Sequence, residues 1–330
     1  MFTKIIYIII YIIVTLSLSQ IITLGSHLLC NKKIGSTISK NICYNILPIV
    51  YQHGFNSPIY YNGLYKKTMN IDIIISNHIN ILDFMINISI LRQFDDRDIY
   101  FIIKKELVFI PATGFILLET DIILNRKIED DIQNLVISIK KIKSGIIVLF
   151  PEGTRYTKKK HIDAKKYSID NNLTVYNNML YPKMKGLWTI CNVLIKEKRL
   201  GNIIDITTRI ENFKNIEFTS KKLFTHKFGN TYSIINSYSI PIINNYDDFK
   251  QWFLKIWDKK DNILDIILTK NDKFDYKKVK SNIKSSDYIL LVFIVTLFIY
   301  VCVKTNGLYL LFSLIISYII TIIKYIKINK

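Results

Sequence analysis

The sequence predicts an α/β layered domain, a mixed sheet flanked by helices, held between an N-terminal membrane helix and a C-terminal hydrophobic hairpin. Three observations lead there. Short β-rich apolar runs alternate with helical patterns from about residue 62 to 283. Residues 5 to 24 carry no charge. Two further uncharged runs, Tyr288 to Val303 and Leu308 to Ile323, are separated by the polar stretch Lys304-Thr305-Asn306-Gly307.

Composition narrows the field before any motif is considered. Half of the 330 residues are hydrophobic, and 45 Lys+Arg against 26 Asp+Glu leave a net charge of +19. Disorder requires low hydrophobicity and a stapled mini-protein requires dense cysteine, so both are excluded. Cys30, Cys43, Cys191 and Cys302 show no C-x-x-C spacing, which argues against a disulfide framework and a structural zinc site; no metal is expected. Lys, Asn and Ile are abundant throughout, so the charge reads as a compositional bias. Nucleic acid is not expected as a partner, because the hydrophobic ends would be stranded and no aromatic-basic platform is present. The basic surplus still favours anionic surfaces, at about 1 kcal/mol per residue near acidic headgroups. Membrane lipid and phosphate groups are the partners that fit.

The first element is the apolar run 5 to 24. Its 20 residues, at about 1.5 Å each, match a hydrocarbon layer of about 30 Å. A secretory signal peptide is the competing reading, with Lys4 as the charged start and Gly25-Ser26 as the exit. Ile42 to Tyr61 is apolar but broken by Asn45, Pro48, His53, Gly54 and Pro58, and reads as interfacial. At the other end, the paired runs of 16 residues form a hairpin, spanning or re-entrant because each is short for a span. Lys284, Lys324, Lys327 and Lys330 on its outer flanks, with Lys32, Lys33 and Lys40 after the first run, place these ends on the cytosolic face. The resulting division is a membrane anchor and interfacial segment at 1 to 61, a cytosolic domain at 62 to 283 and a hairpin at 284 to 330.

Within the middle domain Ile71 to Ile75 reads as a strand, followed by polar Ser76-Asn77-His78 and an amphipathic stretch from Ile81 to Leu91. Ile99 to Ile103 and Ile122 to Leu124 read as strands, and Glu129 to Ile142 as a helix stopped at Gly145. Ile146 to Phe150 is a strand of the fully buried type, broken by Pro151-Glu152-Gly153. Strands follow at Ile203 to Ile210 and Tyr232 to Ile240, and a helix at Asp247 to Asp258. Lys158-Lys159-Lys160 and the polar stretch 163 to 178 read as a solvated helix and loop. Sheets of this kind carry their sites at strand carboxyl ends, where the polar clusters 76 to 83 and 151 to 155 lie.

Two spacings carry chemistry. His78 and Asp83 are five residues apart, which on an unbroken helix would point them away from each other. With His78 in the turn and Asp83 in the first helical turn they can meet, giving an imidazole oriented by a carboxylate, the general-base half of a triad. A helix-capping His with an N-terminal Asp is the plainer alternative. In Glu152-Gly153-Thr154-Arg155, Gly153 permits close approach of a ligand, Thr154 offers a donor to an oxyanion and Arg155 a planar fork for phosphate. Here the alternative is a turn with an exposed Glu–Arg pair.

Taken together these residues resemble the lysophosphatidate (1-acylglycerol-3-phosphate) acyltransferase family, whose four blocks occur in order. They are Asn77-His78 to Asp83; Lys104 to Gly114, continuing through Ile122 to Arg126; Phe150 to Arg155; and Tyr181-Pro182-Lys183-Met184-Lys185-Gly186. The similarity covers about residues 70 to 265. The Lys-Lys-Glu-Leu opening of the second block, the fourth block, Trp252 to Asp265 and the terminal hydrophobic pair resemble the longer eukaryotic branch, usually resident in the endoplasmic reticulum. Asn80 stands where many members have Ser, and the fourth block lacks the apolar residue that short bacterial-type members place after its Pro.

The resemblance implies a layered glycerolipid-acyltransferase-like fold and transfer of an acyl group from acyl-coenzyme A to the free glycerol hydroxyl of lysophosphatidic acid. His78 would be the base and Asp83 its orienting partner. Glu152, Gly153 and Thr154 would line the substrate site, and Arg155, with Lys105, Arg126, Lys183 or Lys185, would bind phosphate. Acyl-coenzyme A enters as co-substrate, with no cofactor. Another lysophospholipid acceptor, such as lysophosphatidylinositol or lysocardiolipin, and a non-catalytic lipid-binding protein are the alternatives. The stripes of Ile and Phe between 81 and 118 read as core, so no chain-length selector is assigned.

Overall fold

In a computed structural model of the chain the described residues are 44, 47–48, 51–52, 55–109, 117, 121–125, 128–211, 228–243, 245–269, 274–280 and 304. They belong to two compact units. The larger comprises Tyr51–Ile102 and Ile128–Val279, and the smaller Met1–Val50, Ile103–Lys127 and Lys280–Lys330. The membrane helix expected at 5 to 24 and both apolar runs of the hairpin lie outside the described residues. Among the described residues no helix is long and apolar enough to cross a membrane.

The larger unit is a mixed sheet flanked by helices. In chain order its elements are β1 (Ile59–Gly63), β2 (Ile71–Ser76), α1 (Asp83–Leu91), β3 (Ile99–Lys104, which ends in the smaller unit), α2 (Ile128–Lys141) and β5 (Ile146–Leu149). There follow α3 (Lys158–Asp170), α4 (Met184–Lys196), β6 (Leu200–Ile210), β7 (Thr231–Tyr238), α5 (Tyr246–Thr269) and β8 (Lys277–Lys278). β4 (Ile122–Leu124) and a 3-10 turn at Lys105–Phe109 belong to the smaller unit. The strands of the larger unit run in the order β3-β5-β2-β6-β7-β1-β8. β2 pairs in parallel with both β5 and β6, β3 with β5 and β1 with β7, while β6 and β7 are antiparallel.

This order follows from the sequence pattern. Every residue of β2 and β5 is buried, as isoleucine-rich strands covered on both faces require, and the buried Asp72 of β2 is paired with Arg97 (2.5 Å). Because β2 and β5 are parallel neighbours, with Ile75 opposite Leu149, the chain leaves both at the same edge of the sheet. That register brings residues 76 to 83 beside residues 150 to 155, and the site is built there.

Three elements differ from the sequence reading. The stretch expected to be amphipathic at 81 to 91 is buried nearly all round: in α1 only Phe84 is partly exposed. Asn87 Nδ2 donates to Asp83 C=O (3.0 Å) and Ser89 Oγ to Met85 C=O (2.7 Å), while Asn87 Oδ1 and Asp83 Oδ1 are buried without a hydrogen-bond partner among the described residues. The apolar stretch ending at Tyr61 supplies β1, and Tyr51, fully buried, sits 2.9 Å from Thr231 Oγ1 through its hydroxyl. α5 continues eleven residues past Asp258 to Thr269. The polar Lys259-Lys260-Asp261-Asn262 hides this, yet Lys260 is fully buried because Asp205 of β6 meets it at 2.5 Å.

Candidate active site

His78 lies in the turn between β2 and α1, and Asp83 opens α1. His78 Nδ1 is 2.8 Å from Asp83 Oδ2, so the turn-then-helix geometry makes the contact that a continuous helix would forbid. The same Oδ2 accepts the backbone N–H groups of Ile79 (2.7 Å) and Asn80 (3.0 Å), which wraps the turn around the carboxylate. A carboxylate oxygen already accepting two N–H groups can only accept a third, so Nδ1 carries the proton of that bond, and in a neutral ring Nε2 would hold the lone pair. The ring retains 23% of its exposure and stacks on Phe150, with centroids 4.4 Å apart. Burial pushes the Asp83 carboxyl above the usual carboxylate range, while the His78 bond and the two backbone donors pull it back.

Glu152 is buried, and its carboxylate is taken up by the backbone: Oε1 accepts the His78 N–H (2.8 Å) and Oε2 the Leu180 N–H (3.2 Å). No Glu152–Arg155 ion pair is present among the described residues, so the exposed-pair alternative fails. Tyr156 N–H donates to His78 C=O (2.7 Å), which ties the turn after β2 to the turn after β5 a second time. Burial pushes the Glu152 carboxyl up to about 8, opposed by its two N–H donors and the Lys260 cation. Between its usual 4.5 and about 8 the folded chain therefore holds a proton that the unfolded chain releases. Stability falls as pH rises through that window. Urea titrations of the detergent-solubilised chain between these limits should show this slope, and Glu152→Gln should remove it.

Gly153 adopts φ +68°, a region that favours glycine, and a Cβ there would meet Lys183 Cδ at 3.0 Å and Nζ at 3.6 Å. The Lys183 side chain thus lies across the Gly153 backbone, and Lys183 N–H donates to Pro151 C=O (2.7 Å). Arg155, Lys183 and Lys185 are exposed. Thr154 Oγ1 accepts from Lys160 Nζ (2.5 Å), so its own O–H remains available to donate. Lys160 also donates to Arg155 C=O (3.2 Å). Lys105 opens the 3-10 turn of the smaller unit, and Arg126 lies outside the described residues. Among the described residues no group of His, Cys, Asp or Glu could hold a metal ion.

Several contributors escape the sequence reading. Lys160 was assigned to a solvated run; the signal that finds it is Thr157, a helix cap accepting Lys160 N–H, which turns the third lysine back toward Thr154. From α5, Trp257 Nε1 donates to Leu180 C=O (3.2 Å). Asp261 accepts the backbone N–H groups of Asn177 and Asn178, both at 2.9 Å. These bonds hold the segment that delivers Leu180 N–H to Glu152 and Lys183 to Gly153. Asp261→Ala should cost about 1–3 kcal/mol and expose the amides of Asn177 and Asn178 to faster hydrogen exchange, with Asp261→Asn intermediate.

Residues 66–182 match the family model described as Acyltransferase. The probable 1-acyl-sn-glycerol-3-phosphate acyltransferase 5 of Arabidopsis thaliana is 27% identical over 244 residues, covering 70% of this chain and 62% of that protein. Lysocardiolipin acyltransferase 1 of Gallus gallus is 26% identical over 200 residues, covering 58% of this chain and 52% of that protein. The crystal structure of the 1-acyl-sn-glycerophosphate (LPA) acyltransferase, PlsC, from Thermotoga maritima aligns with a TM-score of 0.47 and 14% identity, over 76% of this chain and 95% of that one. The chain spans between about half and six tenths of the length of these curated relatives. Residues 66–182, the stretch that matches the acyltransferase family model, hold His78, Asp83 and the Glu152–Arg155 turn, and the relatives similar to this chain are named as acyltransferases.

Proposed function

We propose that the chain transfers an acyl group from acyl-coenzyme A to the free glycerol hydroxyl of lysophosphatidic acid, giving phosphatidic acid and free coenzyme A. The observation that carries this is the 2.8 Å contact between His78 Nδ1 and Asp83 Oδ2, which leaves Nε2 as a base. Nε2 takes the hydroxyl proton as the hydroxyl oxygen bonds to the thioester carbonyl carbon. Asp83 stabilises the imidazolium that forms. The carbon–sulfur bond then breaks, and the departing thiolate recovers the proton from Nε2, so no acyl-enzyme forms and no metal is needed. Thr154 O–H and nearby backbone N–H groups serve the oxyanion. Arg155 and Lys183, both exposed, with the Lys183 side chain lying across Gly153, serve the acceptor phosphate. The uncharged runs at both ends would hold the domain on the cytosolic face of a membrane, the endoplasmic reticulum by resemblance, where both substrates partition.

A second reading keeps the chemistry and changes the acceptor to a phosphodiester such as lysocardiolipin. The relatives carrying that name favour it. Membranes carrying wild type or His78→Ala, given labelled acyl-coenzyme A and a panel of lysophospholipids, separate the readings. Product from lysophosphatidate that vanishes in the variant is expected. Preference for a diester acceptor would promote the second reading, and inactivity on every acceptor would refute both.

A further inference from the structure

Helix α3 was expected to be a solvated segment, yet it exposes apolar side chains that solvation does not explain. Ile162 and Ile169 are 67% and 64% exposed. At about 100° per residue, Lys165, Lys158, Ile169, Ile162, Lys166 and Lys159 follow one another around the helix within an arc of about 120°. Lys159 and Lys166 are exposed and Lys165 is partly so. Asp170 and Asp163 lie on the flank beyond Lys159, followed by the exposed Tyr167, while Ser168, about 60° beyond Lys165 on the other flank, is buried. The exposed side therefore carries two isoleucines interleaved with four lysines, with Asp170, Asp163 and Tyr167 on its far flank.

We propose that this face of α3 docks on a bilayer surface containing anionic lipid. The interleaving selects that occupant. Isoleucines can enter the boundary between headgroups and acyl chains while lysine stems run outward and place their ammonium groups among lipid phosphates. An acidic protein surface would satisfy the lysines and leave the isoleucines without hydrocarbon. The helix is also tied to the candidate site, because Lys160 Nζ bonds Thr154 Oγ1 and Arg155 C=O from its first turn. A docked α3 keeps the Thr154–Arg155 turn within one helix length of the headgroups, about 20 Å for its 13 residues. Each lysine that reaches the surface strengthens binding about fivefold.

The docking face does not depend on acyl transfer, and its test uses no substrate. The full chain, with Cys30, Cys43 and Cys302 replaced by Ser and the buried Cys191 kept, is labelled with an environment-sensitive fluorophore at Ile162→Cys or at Asp163→Cys. Each is reconstituted into vesicles of phosphatidylcholine alone or mixed with phosphatidylglycerol, with and without lipid carrying a nitroxide quencher. The label at 162 should shift to the blue and be quenched several-fold more than the label at 163 on anionic vesicles. About 1 M salt, with a screening length of about 3 Å, should reduce the quenching. Lys165→Glu with Lys166→Glu should weaken it at least about tenfold. Equal quenching at both positions, or equal quenching on neutral vesicles, would overturn the proposal. A blue shift without lipid quenching would also overturn it, since α3 would then be packed against protein.

Discussion

Replacing His78 with Ala is expected to lower kcat for acyl transfer by about 10²–10⁴-fold, the range a positioned general base contributes, with little change in KM. On the proposed mechanism the substitution would remove the base from the acceptor hydroxyl while leaving the backbone that shapes the site. The His78 N–H still donates to Glu152 and its C=O still accepts from Tyr156, because both bonds are made by the main chain. Circular dichroism and the unfolding midpoint should therefore stay close to wild type. His78→Gln should be as inactive as His78→Ala, since an amide can occupy the place of Nδ1 but offers no basic nitrogen. Initial rates of phosphatidate formation at saturating acyl-coenzyme A measure the effect.

The largest effect on stability is expected from Lys260→Met. Lys260 is fully buried, with Nζ donating to Asp205 Oδ1 (2.5 Å), Ile206 C=O (2.8 Å) and Thr207 Oγ1 (3.2 Å). Removing the ammonium strands the Asp205 carboxylate in the core, at a cost of about 3–5 kcal/mol. Burial already raises the Asp205 carboxyl and lowers the Lys260 ammonium, and their mutual attraction opposes both shifts. The double variant Lys260→Met with Asp205→Leu should recover most of the loss, because paired replacement by apolar residues leaves no unpaired charge. The loss also reaches the site. The Lys260 cation is one of the influences holding the Glu152 carboxyl down, so Lys260→Met should push Glu152 higher and extend upward the pH range over which it keeps its proton. Urea unfolding of the single and double variants, with activity across pH, tests both parts.

The sequence reveals the central strands because they are uniform. A run such as Ile71 to Ser76 or Ile146 to Leu149 has one reading when both faces are covered. Their parallel pairing cannot be read from either run alone, yet that pairing brings the His78 turn to the Glu152 turn. Helix α4 shows how attention to a motif can hide a period. Met184, Leu187, Ile190, Cys191 and Leu194 are buried at helical spacing, but Tyr181 to Gly186 was read only as a block. Residues of α5 escape for a different reason. Lys260 and Asp261 look like a polar surface patch, and only their distant partners, Asp205 on β6 and the amides of Asn177 and Asn178, make them interior. Such long-range satisfaction of polar groups leaves no periodic trace in a sequence.

The chemistry of the site was legible where partners are close in sequence. His78 and Asp83 meet through the turn-then-helix arrangement that their spacing permits, and the Asp83 carboxylate also gathers the Ile79 and Asn80 amides, so one residue both shapes the turn and orients the ring. Glu152 was read with the substrate-facing residues, but its oxygens are engaged by the His78 and Leu180 N–H groups. Glycine at 153 reads as room for a ligand, and the Lys183 side chain lies along that space.

The central claim is that His78 and Asp83 act as one proton-transfer unit, and a double-mutant cycle on phosphatidate formation tests it most directly. Asp83→Asn alone should cost about 10²-fold or more in kcat, and His78→Ala at least as much. Combined, they should be no worse than His78→Ala by itself, because a carboxylate has nothing left to orient once the ring is gone. Losses that multiply in the double variant would show the two residues working independently and contradict the account.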